Sequence, residues 1–308
     1  MLDSDELYKR EISRFYPGMF IILLDQSDSM NEVAHTDEDG TTHTKAELVT
    51  FYVNKLIQKM IDVVGTDERT GRCKNSLYLS VLGYNDIVSS LLPKRIMSIT
   101  ELEEQDQQDV RVIDRPRHDM GSVGKKKTQH IWILPHHSGR TEMALAFREA
   151  QKIVREWLGS EPALISSDAP QRGKQRPRQD CFPPVVIHIT DAINTGHDDP
   201  ATVAKEVQKL ATKHGNVLVF NCHFTTETRS QKITFPHTLD QPTEIADIAR
   251  AQVLFQMSSV LPELLRSRAE RIMHDHITPG SRGFVYNANL DVLVKFLEVG
   301  TIGIEGQR

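Results

Sequence analysis

The chain reads as a doubly wound α/β protein, with a mostly parallel central sheet and helices on both faces. Three observations carry that prediction. Strand-like and helix-like segments alternate through most of the 308 residues. The strand segments are near-continuous apolar runs, the pattern of strands buried on both faces. Two of these runs, "FIILLD" and "VVIHITD", end directly in an aspartate. In an open parallel sheet such ends lie at the edge where ligands bind.

Phe20 to Leu24 forms the first strand, bounded by a Pro-Gly turn before it and polar residues after it. Thr44 and Glu47 make a capping box. Behind it Val49, Val53, Leu56, Met60 and Val63 recur at helical spacing, so a helix is expected over 44–64. Ser76 to Asn85 is the second strand. The segment 89–113 admits strands, a short helix, or both. "HIWILP" reads as a short strand leading into a glycine-bearing turn. Met143, Phe147, Ala150, Val154 and Trp157 mark the inner face of a helix over 141–158. Pro183 to Asp191 is the next strand. A helix is expected over 198–214, capped by Asp198 or Asp199 with Pro200 in its first turn. "NVLVFNCHFT" is a strand, and 244–273 is helical with a break near Pro262. Leu290 to Leu297 is helical.

The domain expected from this order spans 16–266. It has an N-terminal extension over 1–15, a C-terminal extension over 267–308 packing on it, and loop insertions at 30–43, 100–130 and 159–182. Lysine and arginine number 37 against 42 acidic residues, a net charge of −5, so nothing in the balance calls for nucleic acid. Three scattered cysteines, Cys73, Cys181 and Cys222, make neither a disulfide framework nor a zinc signature. With no apolar leader and no run near the ~20 residues of a membrane span, a cytoplasmic protein with no membrane partner is expected.

The polar ends of the apolar strands carry the chemistry. Asp25 and Asp191 belong at the same sheet edge. Two carboxylates brought together raise one pKa unless a cation lies between them. Ser27 and Ser29 lie two apart, so an extended turn would point both hydroxyls the same way. Thr141 sits in a glycine-bearing loop at a helix start. Asp25, Ser27, Ser29, Thr141 and Asp191 make an oxygen-only set, which suits Mg²⁺ or Mn²⁺ and not zinc.

Asp25-x-Ser27-x-Ser29, Thr141 in "SGRTEMALA" and Asp191 in "VVIHITDA" resemble the metal-ion-dependent adhesion site of the von Willebrand factor A domain. The resemblance extends over roughly 16–265. It implies that Ser27, Ser29 and Thr141 coordinate a divalent cation directly or through water, and that Asp25 and Asp191 hold it mainly through water. An Asp or Glu of a partner protein would fill the open position. The family has glycine after the second aspartate, where this chain has Ala192. The acidic loop after Ser29, with Glu32, Asp37, Glu38 and Asp39, would be solvated, cover the site or compete for the ion. The "LFQMSSVLPELL" segment and the tail are similar to bacterial intracellular members of tellurium-resistance-type operons, encoded beside kinase-like and phosphatase-like proteins. The function implied is a metal-dependent adhesion or scaffold module in a bacterial stress-response or defence system, without catalysis of its own.

Two alternatives stand beside it. One is a metal-dependent hydrolase or phosphatase using Asp25. A dehalogenase-type phosphatase needs an acid two residues on, where Ser27 stands, and the chain has no G-x-S-x-G elbow or phosphate loop. The other is a scaffold whose site stays empty. His136 and His137 are expected to rim the site, and His188 to point to a helix or solvent. Lys125, Lys126, Lys127, Arg172, Lys174, Arg176 and Arg178 read as solvated loop residues, or as a docking patch for an acidic partner. Trp132 and Trp157 read as core.

Overall fold

β1 (Gly18–Asp25) is buried along its whole length. Met19, Ile21 and Leu23 enter one core while Phe20, Ile22 and Leu24 enter another. A strand covered on both faces buries every side chain, which favours an apolar residue at each position and explains the continuous run. The computed structural model describes residues 7–37, 40–64, 74–106, 130–163, 173–191, 194–225, 232–239 and 248–300.

After β1 come the hairpin β2 (Val33–Thr36) and β3 (Thr42–Thr44), then α1 (Lys45–Val64) and β4 (Leu77–Tyr84). β5 (Val88–Ser90), β6 (Met97–Ser98), α2 (Ile99–Asp106) and α3 (Met143–Gly159) follow. Next are β7 (Val185–Thr190), α4 (Pro200–Gln208), the hairpin β8 (Ala211–Thr212) and β9 (Gly215–Asn216), and β10 (Leu218–Phe224). β11 (Ile233–Thr234), α5 (Ile248–Met257), α6 (Glu263–Met273), β12 (Phe284–Ala288) and α7 (Leu290–Gly300) complete the order.

The main sheet runs β11-β12-β10-β7-β1-β4-β5, with β6 also on β4. The five central strands are parallel; β11, β5 and β6 pair antiparallel. Side chains from α1, α2, α6 and α7 fill the core on one face, and those from α3, α4 and α5 fill the other. The fold is therefore doubly wound, as the sequence predicted. From β1 the chain passes to β4 on one side and later to β7 on the other. That reversal opens a crevice at the carboxyl ends of β1 and β7, where ligands bind in open α/β sheets.

Several local expectations change. The capping box forms: Glu47 N–H donates to Thr44 Oγ1 at 3.2 Å and Thr44 N–H to Glu47 Oε2 at 2.8 Å. "HIWILP" is not a strand. Its backbone is bonded to a side chain instead: Trp132 and Ile133 N–H both donate to Asn54 Oδ1, and Asn54 Nδ2 donates to the Ile133 carbonyl. The helix expected over 198–214 ends at Gln208, because Ala211 to Asn216 fold back as a hairpin. Its N-cap is Asp199, which accepts from Ala201 and Thr202 N–H. β12 was not foreseen as a strand; it pairs with β10. Among the described residues no helix is long and apolar enough to cross a membrane. Cys181 and Cys222 are buried free thiols; burial pushes the Cys181 thiol up to about 12 and raises that of Cys222 as well, which keeps both in the thiol form.

Candidate metal centre

Three loops converge at the crevice. The first leaves β1 at Asp25 and turns through one 3₁₀ turn, Asp28–Asn31, with Ser27 extended before it. The second runs into α3 through Gly139 and Thr141. The third leaves β7 at Asp191. Backbone bonds tie the first two: Ser138 N–H donates to the Gln26 carbonyl at 2.7 Å and Asp28 N–H to the Gly139 carbonyl at 3.0 Å. Gly139 N–H returns a bond to Asp28 Oδ1. Gly139 has φ +73°, a left-handed conformation that a side chain would strain. The second and third loops are tied by Thr141 N–H to Thr195 Oγ1 and Thr195 N–H to the Thr141 carbonyl, both 2.9 Å. Asn194 Oδ1 caps α3 by accepting from Met143 N–H.

Within this frame the polar atoms form a continuous set. Ser27 Oγ and Ser29 Oγ lie 3.1 Å apart, and Ser29 Oγ donates to Asp191 Oδ1 at 2.7 Å. The 3₁₀ turn, rather than an extended turn, brings the two hydroxyls together. Asp25 sits one layer below, accepting from Ser27 N–H at 2.9 Å and from Thr190 Oγ1 at 2.5 Å. Thr141 is buried, and its loop reaches the same place through the backbone bonds above. Asp25, Ser27 and Asp191 are buried as well, while Ser29 is half-exposed and Asp28 exposed. The set thus opens to the surface on the Ser29 side.

Burial is the main cause that lifts the Asp25 carboxyl from 3.8 to about 6; bonds from Ser27 and Thr190 oppose it, and the nearby Asp191 charge adds to it. The Asp191 carboxylate is held by a cation: Lys45 Nζ donates to Asp191 Oδ2 at 2.7 Å and also to Glu32 Oε2. Burial alone would lower the Lys45 pKa, but the bonds and charges of Asp191 and Glu32 outweigh it and the net direction is up.

The donors suit a hard divalent cation. Metal–oxygen bonds of about 2.05 Å at right angles put neighbouring oxygens about 2.9 Å apart. The 3.1 and 2.7 Å spacings of Ser27, Ser29 and Asp191, set here by hydrogen bonds between them, are close enough to that edge for a cation to replace the bonds with little movement. Among the described residues no three His, Cys, Asp or Glu side chains are grouped to hold a metal, so a cation here must rely on the hydroxyls.

Below the site a neutral polar chain crosses the sheet. His188 is fully buried rather than facing solvent, with its ring edge-to-face on Phe147 of α3. Burial lowers its pKa to about 4, so it is neutral. Asn221 Nδ2 donates to Ser258 Oγ, which donates to the Leu254 carbonyl, so Asn221 Oδ1 is an acceptor. His188 Nδ1–H therefore donates to Asn221 Oδ1 at 2.8 Å, and Nε2 accepts from the Tyr84 hydroxyl at 2.6 Å. His136 is exposed and bonds Ser138 Oγ beside the site.

Other expectations are corrected here. Arg178 is not a solvated loop residue: it is buried over the Tyr78 and Trp157 rings and donates to Gln175 Oε1 at 2.8 Å. Glu32 and Asp37 are not simply solvated. Glu32 holds Lys45, and Asp37 lies between His35 and His43 of the β2–β3 hairpin. Glu38, Asp39, Cys73, Lys125, Lys126, Lys127, Arg172 and Ala192 lie outside the described residues. The sequence reading missed Lys45, Thr190 and Thr195, and named Glu32 only as part of the acidic loop after Ser29. Lys45 left one signal: it is the first residue of a helix, where a cation opposes the helix dipole.

Several solved structures are similar. Proximal thread matrix protein 1 from the mussel byssus, with a zinc-occupied MIDAS motif, is 11% identical over 95% of this chain and 47% of that one, with a TM-score of 0.45. An aerotolerance-related membrane protein from Bacteroides fragilis is 14% identical over 92% of this chain and 98% of that one, with a TM-score of 0.38. A von Willebrand factor type A structure from Catenulispora acidiphila is 11% identical over 80% of this chain and 44% of that one, with a TM-score of 0.36. The chain spans less than half the length of the byssus protein it matches. No family model and no curated protein matches it.

Proposed function

We propose that the chain is a von Willebrand factor A-type module that binds a divalent cation, Mg²⁺ or Mn²⁺, and uses it to hold a carboxylate of a partner protein. The observation that carries this reading is the row of oxygens Ser27, Ser29 and Asp191, spaced as the edges of an octahedral shell at the strand-order reversal. Ser27, Ser29 and Thr141 would face the cation, with Asp25 and Asp191 behind them. The bound cation supplies positive charge and an open coordination position at the surface. The chain's own residues hold the frame: Thr190 and Ser27 orient Asp25, and Thr195 and Asn194 fix the Thr141 loop.

Binding rather than catalysis fits the residues. Ser27 stands where a phosphatase of this type needs an acid, and the neutral His188 lies beneath the site on Tyr84 and Asn221. The setting we infer is a cytoplasmic bacterial stress-response or defence assembly, with kinase-like or phosphatase-like operon neighbours as partners. Calorimetric titration of Mg²⁺ and Mn²⁺ tests the site, with Ser29→Ala and Asp191→Asn alongside. Saturable uptake lost in both variants supports it; equal uptake by all three proteins sinks it. Affinity capture in Mg²⁺ against EDTA tests the partner reading, which requires a protein released by EDTA. Turnover of a phosphate ester with Mn²⁺, abolished by Asp25→Ala, would favour the hydrolase instead.

A further inference from the structure

Lys45 begins the 20-residue helix α1, with its positive charge at the end of the helix that repels it. It is also buried, with 6% of its surface exposed. Both features are unfavourable unless the ammonium is tightly partnered. Its partners are the two acids that flank the proposed cation: Asp191 at 2.7 Å and Glu32. Glu32 is also fixed from the backbone, since Lys45 N–H donates to its carbonyl at 2.9 Å. The Asp191 carboxylate is thus shared, one oxygen taking the Ser29 hydroxyl and the other the ammonium.

We propose that Lys45 is a tethered competitor for the divalent cation, and that the two compete for Asp191. The inference rests on the cation site proposed above. Two positive charges on one carboxylate repel each other. A cation drawing on Asp191 therefore weakens the Asp191–Lys45 bond and leaves the ammonium on Glu32. Glu32 suits that role because its side chain is 64% exposed and its remaining polar capacity faces water. The flexible four-carbon lysine stem permits the exchange. The site then has two arrangements, one closed by ammonium and one loaded with cation. Its affinity is set by the competition, so it fills only at high cation supply.

The test is calorimetry of Mn²⁺ and Mg²⁺ binding to the full chain, with thermal unfolding in EDTA on the same samples. Lys45→Met removes the charge and keeps most of the stem; it should bind on the order of tenfold tighter or better. Lys45→Arg keeps the charge and should stay within about threefold of wild type. Glu32→Gln removes the charge that retains Lys45 away from Asp191, and should bind several-fold more weakly. A cooperatively folded Lys45→Met that binds no tighter than wild type overturns the proposal and leaves the cation site standing. No binding by any variant overturns both. If Lys45→Met does not fold, the lysine side-chain NMR signals of wild type decide. The Lys45 resonance should move along the Mg²⁺ binding isotherm, and a resonance unmoved at saturation refutes the competition.

Discussion

Replacing Asp25 by Asn should stabilise the cation-free protein at neutral pH, contrary to the usual effect of altering a buried, bonded side chain. Asp25 is 2% exposed, and its carboxyl is raised from 3.8 to about 6, chiefly by burial. Between those values the folded state keeps a proton that the unfolded state has released. Stability linked to Asp25 is therefore fully present below about 3.8 and is lost as pH rises through about 6. The difference, 6 − 3.8 = 2.2 units, corresponds to about 3 kcal/mol at about 1.4 kcal/mol per unit. Asn removes this cost and keeps the geometry: its oxygen can accept from Ser27 N–H and its amide can donate to Thr190 Oγ1. In urea unfolding with EDTA, Asp25→Asn should exceed wild type by up to about 3 kcal/mol at pH 7.5 and match it near pH 4. Saturating Mg²⁺ should reverse the order. At a hundred times the dissociation constant a ligand adds about 2.7 kcal/mol, and the variant lacks the charge that binds it. An Asn variant less stable than wild type at pH 7.5 in EDTA would show that burial of the charge is not the dominant effect at this position.

Two further substitutions separate the frame of the site from its chemistry. Asn54→Ala removes the side chain that bonds the backbone of Trp132 and Ile133, so it should cost about 2–4 kcal/mol in urea unfolding and also weaken cation uptake by loosening the Thr141 loop; unchanged uptake would mean that the loop is held from its other end alone. Asp199→Ala loses the N-cap of α4 and should cost about 1 kcal/mol, with calorimetric cation binding unaltered.

What the sequence shows and what it hides divide along a physical line. The central strands were legible because burial on two faces favours apolar residues at successive positions, a constraint written into every position of "FIILL" and "VVI". The capping box and the Asp199 cap were legible because their partners lie within three residues. The fate of "HIWILP" was not, since its ladder is replaced by one asparagine about 80 residues away in sequence. The end of α4 was hidden for a different reason: "KLATKHGNV" continues the helix pattern, and only the hairpin pairing of Ala211 with Asn216 stops it. Asp25, Ser27, Ser29, Thr141 and Asp191 could be named from strand ends and local motif, but the ion pair that joins Lys45 to Asp191 spans 146 positions and leaves no periodic trace.

The charges beneath the surface give an independent reason to look for a cation at this place. The chain from Tyr84 through His188 and Asn221 to Ser258 is neutral, and each donor in it meets an acceptor. Asp25 and Asp191 differ: both are buried acids, yet of the two it is Asp191 that the Lys45 ammonium bonds, while among the described residues Asp25 accepts from Ser27 N–H and Thr190 Oγ1, both neutral. With both acids ionised the buried group carries one uncompensated negative charge. Buried charge is ordinarily paired, removed by protonation or held on a metal. The raised pKa of Asp25 is the second of these outcomes beginning to appear. A divalent cation at the Ser27–Ser29–Asp191 edge would supply the third, and the half-exposed Ser29 side is where it could enter.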